Sequence, residues 1–175
     1  MTTIQSTATT TEPEGIMDNL VTILTITSAV SAGLMAGLYF AFSTSVMGGL
    51  RQQPAPGAIA TMQSINQVIV NPLFLLLFVG SGLSCAALAV TAKLSDQPLA
   101  WVRIAAALLF VVGSLVLTGA INVPLNDRLA AVDPSSTHGV EVWSEYLTRW
   151  TAWNHVRAAS SAVAAIALTI TLTSR

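Results

Sequence analysis

Charged residues make up only 9% of this 175-residue chain, and they are bunched. None falls between Asp18 and Arg51, between Arg51 and Lys93, between Arg103 and Asp127, or between Arg157 and Arg175. A helix that crosses a bilayer needs ~20 predominantly apolar residues, so each gap holds one span, the last only just. The gaps predict transmembrane helices at about Leu20 to Val46, Val68 to Ala92, Trp101 to Leu125 and Trp153 to Leu172. A water-soluble helical bundle would show polar residues at every third or fourth position, and these stretches do not. The fold class is therefore all-α: a four-transmembrane-helix bundle integral to a membrane, the cell membrane if the chain is bacterial.

The residues outside the spans set the organisation. Residues 1–19 are Thr-rich and carry Glu12, Glu14 and Asp18 but no Lys or Arg. They read as a disordered polar tail ahead of a membrane domain over 20–175, with Met17 as an alternative start. They lack the basic n-region and short apolar core of a signal peptide. The connection Lys93 to Ala100 is short, which makes the second and third spans antiparallel neighbours. Two long connections, about Met47 to Gln67 and Asn126 to Ala152, lie on the other side. In the first, Ile59, Met62, Ile65 and Ile69 predict an interfacial helix over Ala58 to Val70, ahead of an Asn71-Pro72 helix start. In the second, Asp133-Pro134-Ser135-Ser136 reads as a turn and helix cap. Glu141 to Trp153 reads as a helix entering the fourth span. Gly33 and Gly37, the Gly80 to Ser84 region and the Ala/Ser-rich fourth span are expected to be packing faces. If Arg128, Arg149 and Arg157 are committed to internal partners, the remaining Lys and Arg place both termini in the cytoplasm.

Polarity is concentrated on the long-connection side. The third span ends in Thr118-Gly-Ala-Ile-Asn-Val-Pro-Leu-Asn-Asp-Arg128, and Pro124 predicts a kink there. Asn122 and Asn126 are four apart and share a helix face. The fourth span opens with Trp150-Thr-Ala-Trp-Asn-His-Val-Arg157. Trp150, Trp153, Asn154 and Arg157 recur at helical spacing and form one stripe, with His155 about 100° to its side. Asn66, Asn71, Tyr39, Phe42 and Ser43 come from elements expected at the same depth. Ionisable groups inside a membrane are costly and need partners or a role. Two accounts of this cluster stand side by side. In one, the aromatics Trp143, Tyr146, Trp150 and Trp153 form an interfacial belt and Arg157 pairs with Asp127 or Glu145 or reaches head groups. In the other, the cluster lines a binding site.

The chain excludes several classes. A net charge of -1 without a basic run argues against nucleic acid. The single cysteine, Cys85, leaves no redox pair. His138 and His155 are too few and too far apart for zinc or copper. No glycine-rich phosphate loop and no nucleophile elbow is present, and no flavin or haem signature is visible. Ion conduction would want ionisable residues in mid-span, where only Ser, Thr and Gly occur. No cofactor is expected.

The elements Asn122-Val-Pro-Leu-Asn-Asp-Arg128 and Trp150-Thr-Ala-Trp-Asn-His-Val-Arg157, with Phe40-Ala-Phe-Ser and Ile65-Asn66-Gln67 leading to Asn71-Pro72, resemble the anthrone oxygenase family over roughly Leu20 to Leu172. The resemblance implies an integral membrane enzyme that oxidises a flat, lipophilic tricyclic ketone with dioxygen and no cofactor. It implies His155 as the base, with Arg157 and Asn154 holding the oxyanion. Trp150, Trp153, Asn122, Asn126, Asn66, Asn71 and Phe42 would bind substrate. The competing reading is a non-enzymatic membrane protein, a binder of lipophilic molecules or an accessory subunit, in which the cluster only clasps the bundle. A pocket reaching Trp153 and His155 would favour the enzyme.

Overall fold

The computed structural model describes residues 12–173, which form five helices and a few connecting turns. Helix α1 covers 12–51, α2 Ala55–Val68, α3 Pro72–Lys93, α4 Ala100–Ala130 and α5 Thr137–Thr173. Four of them, all but α2, are long and apolar enough to cross a membrane. They pack in a closed square in which α1 touches α3 and α5, and α4 touches α3 and α5. The chain is an integral membrane four-helix bundle.

The packing is inverted relative to a soluble bundle. Leu73, Leu76, Leu83, Val112, Val163 and Ile166 point outward, while Ser28, Ser81, Ser114 and Ser161 are buried between helices. Lipid tails are as apolar as leucine, so outward leucines cost nothing there, and small side chains let the backbones close in. Ser28 meets Ser84 across α1 and α3 at 2.8 Å. Gly82 abuts Leu115 of α4 so closely that an added methyl would collide with it. Cys85 is buried in the same core, as a packing residue should be. Gly33 and Gly37 depart from expectation: both are exposed on the outer surface and no atom of another element approaches them.

One boundary moved and two helix starts follow the sequence signals, each for a physical reason. Helix α1 begins at Glu12, so residues 12–19 are helical and not an unstructured tail; the rest of that expected tail, 1–11, lies outside the described residues. Glu12-Pro13-Glu14 suits a helix start, because proline fits the first turn and acidic residues favour the positive helix pole. Helix α3 starts at Pro72, as the Asn71-Pro72 pair predicts, with Asn71 Oδ1 accepting from the Phe74 N–H at 3.0 Å. Helix α5 is continuous for 37 residues, which joins the expected Glu141–Trp153 helix to the fourth span. Ser136 caps its start by accepting from the Gly139 N–H at 2.9 Å.

These lengths create two layers. At 1.5 Å per residue, the 22 residues of α3 reach about 33 Å, one bilayer core, whereas the 37 of α5 reach about 55 Å. The surplus of α1, α4 and α5 stands beyond the end of α3 and is roofed by α2. There Met47, Leu50, Ile59, Met62, Leu129, Trp143 and Tyr146 form a second apolar core. The first, around Met35, Cys85, Leu88, Phe110 and Leu168, fills the membrane layer.

Three helical stretches widen to π-helical turns near the join of the layers: Phe42–Val46 in α1, and Val111–Val116 and Thr118–Asn122 in α4. The last immediately precedes Pro124. The predicted kink is thus absorbed by wide turns, which accommodate a residue with no N–H to donate. Such turns are frequent at functional sites.

Candidate functional site

Because α3 stops at Pro72 while its neighbours continue, one corner of the square is missing just above it. The connection Ile69–Asn71 crosses that corner without filling it. The result is a cavity of about 110 Å³, open on one side, between Tyr39 and Phe42 of α1, Asn66 of α2, Phe74 of α3, Thr118 and Asn126 of α4, and Trp150, Asn154 and Arg157 of α5. Its mouth lies at Val70 and Val123, both exposed.

Arg157 dominates the cavity. Its side chain is only 5% exposed. Nη1 donates to Thr118 Oγ1 at 3.0 Å and Nη2 to Asn154 Oδ1 at 2.5 Å. The guanidinium lies 4.4 Å from the centre of the Tyr39 ring and 5.2 Å from that of Trp150. Each partner is itself held. Thr118 spends its proton on the Ser114 carbonyl, so its lone pairs face Arg157. Asn154 Nδ2 donates to the Tyr39 carbonyl and to Ser43 Oγ, both at 2.7 Å, which leaves only its oxygen for the arginine. The Tyr39 hydroxyl is anchored to Ser114 at 2.9 Å.

What Arg157 lacks is a counterion. Among the described residues no carboxylate reaches it. Glu145 pairs instead with Arg128, through two contacts of 2.9 and 3.0 Å, and with Arg149 at 2.6 Å. Asp127 is exposed. Neither expected acidic partner of Arg157 is therefore used. Two of its five N–H groups are engaged, and Nε is fully buried without an acceptor. Trp150 Nε1 and Asn122 Oδ1 are buried without partners close by in sequence and space. The other membrane-facing arginine, Arg103, is different: it donates to the Pro98 carbonyl and to the Thr171 carbonyl near the end of α5, where the helix pole is negative. The cavity thus offers a flat, apolar, aromatic lining and a positive charge with spare donors. Such groups can hold an oxygen carrying negative charge on a planar molecule.

The residues singled out in the sequence divide. Arg157, Asn154, Trp150, Asn126, Asn66 and Phe42 converge on the cavity. Asn122 is buried nearby but donates to the Trp150 carbonyl of α5 at 3.3 Å and does not line the cavity. Asn71 is exposed and serves as the α3 cap. Trp153 is half-buried and does not line the cavity. His155 is exposed on the outer face, in a shallow groove with Gly37, Phe40 and Ala159. Its 100° offset carries it out of the bundle, away from Arg157, so the expected fan of Asn154, His155 and Arg157 toward one site does not form. The aromatic belt is also displaced inward: Trp143, Tyr146 and Trp150 are buried and stack successively at 5.6 and 5.7 Å. Thr118 was missed as a site residue, although it stands four and eight residues before Asn122 and Asn126 on one face.

A family model described as anthrone oxygenase matches residues 67–167, more than half of the chain. The chain belongs to the anthrone oxygenase family. The match spans α3, α4 and the part of α5 that carries Trp150, Asn154 and Arg157, so most of the cavity wall lies inside it. No curated protein and no solved structure matches the chain. For this member of the anthrone oxygenase family, the cavity around Arg157 is the candidate active site.

Proposed function

We propose that the protein is a cofactor-independent membrane oxygenase that takes a flat, lipophilic polycyclic ketone from the bilayer and holds its enolate against Arg157. The observation that carries this reading is the buried guanidinium without a carboxylate, stacked between two aromatic rings. A neutral ketone with an acidic methylene loses a proton and places negative charge on oxygen, where Arg157 stabilises it. The enolate passes one electron to dioxygen, and the resulting radical and superoxide combine at the former methylene carbon. Protonation gives a hydroperoxide, and loss of water leaves a second carbonyl. Methylene and dioxygen become carbonyl and water, and the substrate itself supplies the electrons.

Among the described residues no carboxylate, imidazole or thiol lines the cavity. Arg157 therefore acts by making the enolate a weaker base, and the proton leaves through the mouth to water. A 110 Å³ cavity accommodates roughly one aromatic ring. The reacting edge sits inside and the remaining rings lie in the mouth between Val70 and Val123. Termini in the cytoplasm fit this arrangement, since Arg128 and Arg149 on the opposite side are committed to Glu145.

A second reading rests on one observation: Arg157 joins three helices through Tyr39, Thr118 and Asn154. In that reading it is a clasp and the protein binds lipophiles without chemistry. The purified chain in lipid nanodiscs, given anthrone and dioxygen, separates the two. Oxygen uptake matched by quinone formation above the uncatalysed rate supports the oxygenase. Binding of anthrone without any rate increase refutes it and leaves the binder.

A further inference from the structure

The wall of the cavity also holds two amides, Asn66 and Asn126, bonded to a tyrosine that does not itself line the cavity. Tyr146 is 1% exposed. Its hydroxyl donates to Asn126 Oδ1 at 2.8 Å and accepts from Asn66 Nδ2 at 3.5 Å. A phenolic hydroxyl carries one proton. With that proton given to Asn126 Oδ1 and a lone pair facing Asn66 Nδ2, it holds the two amides in opposite senses. In the arrangement seen, Asn126 keeps its Nδ2 and Asn66 its Oδ1, and neither atom bonds within the described protein. The cavity is thus given one donor and one acceptor side by side. The group that satisfies both at once is a hydroxyl.

We propose that Tyr146 is a positioning residue that sets Asn126 and Asn66 as a donor and acceptor pair for a hydroxyl on the ligand ring held in the cavity. The inference rests on the reading of the cavity as a ligand site, but not on turnover. Tyr146 is locked for this purpose. Its ring is stacked between Trp143 and Trp150, at 16° and 17° to them, so the hydroxyl cannot swing away. The ring held inside the cavity then meets Arg157 through its anionic oxygen and the amides through a neutral hydroxyl.

The test uses the full chain in nanodiscs with two probes, anthrone and a ring-hydroxylated anthrone, read by quenching of tryptophan fluorescence and by steady-state oxygen uptake. Wild type should bind the hydroxylated probe about tenfold more tightly, the worth of one well-placed neutral hydrogen bond. Tyr146→Phe keeps the ring stack and should abolish that preference, leaving anthrone binding within twofold and kcat unchanged while KM rises for the hydroxylated probe alone. Asn126→Leu, which leaves Tyr146 in place, should give the same loss and serves if Tyr146→Phe misfolds. Equal weakening of both probes, or a preference that survives either variant, overturns the assignment. Binding without oxygen uptake by wild type would sink the oxygenase and leave this inference standing.

Discussion

Replacing Arg157 with Met removes the cation of the cavity and keeps an unbranched apolar stem of similar reach. Two hydrogen bonds from a charged donor are lost, to Thr118 and Asn154, worth about 1.5–3 kcal/mol each. Contact with the Tyr39 and Trp150 faces is lost as well, about 2 kcal/mol for a desolvated pair. Against this stands the cost of holding an ion out of water with no carboxylate beside it, several kcal/mol. The two sides are of similar size, so Arg157→Met should change stability by no more than about 2 kcal/mol in either direction, a few degrees in Tm. Chemistry has no such compensation. Removing one donor to a developing oxyanion typically costs about 10²- to 10³-fold in rate, and kcat/KM for anthrone should fall by that factor. Thermal unfolding in detergent, set beside oxygen uptake per folded molecule in nanodiscs, measures both. A variant that unfolds much earlier yet turns over at the wild-type rate would refute the reasoning and establish Arg157 as a clasp.

His155→Ala should keep oxygen uptake within about twofold of wild type, since the imidazole lies on the outer face; a loss comparable to that of Arg157→Met would restore it as the base. Trp150→Leu should raise KM for a tricyclic ketone about fivefold with little change in kcat, because it removes one aromatic face worth about 1 kcal/mol. Gly113→Ala should destabilise the bundle by about 1–3 kcal/mol, because the new methyl meets the Ser160 side chain on α5. Gly37→Ala, facing open space, should be neutral or stabilising by up to ~1 kcal/mol. Thermal unfolding of that pair in one detergent checks both, and equal losses would show that Gly37 is also packed.

Much of the site was legible because helical spacing is rigid. Trp150, Asn154 and Arg157 share a face at i, i+4 and i+7, and all three reach the cavity. The errors have definite sources. His155 sits one residue from Asn154, yet a step of 100° on a helix packed on one side is the difference between inside and outside. Asn122 and Asn126 share a face as expected, but Asn122 is buried against α5 and donates to the Trp150 carbonyl, so only Asn126 lines the cavity. Sequence position alone allows Glu145 to pair with Arg157. In the structure Arg128 and Arg149 saturate it.

The spacing of charges by itself determined a membrane protein of four helices, because a bilayer admits no unpaired backbone and few charges whatever the tertiary arrangement. It also determined that polarity would gather at one end of the bundle. The unequal lengths beyond the bilayer, and the cavity that they open where α3 stops, belong to the tertiary structure alone. So does the isolation of Arg157. Whether a buried cation has a counterion depends on which carboxylates other helices bring within about 4 Å, and residues far apart in sequence decide that only once the bundle has closed.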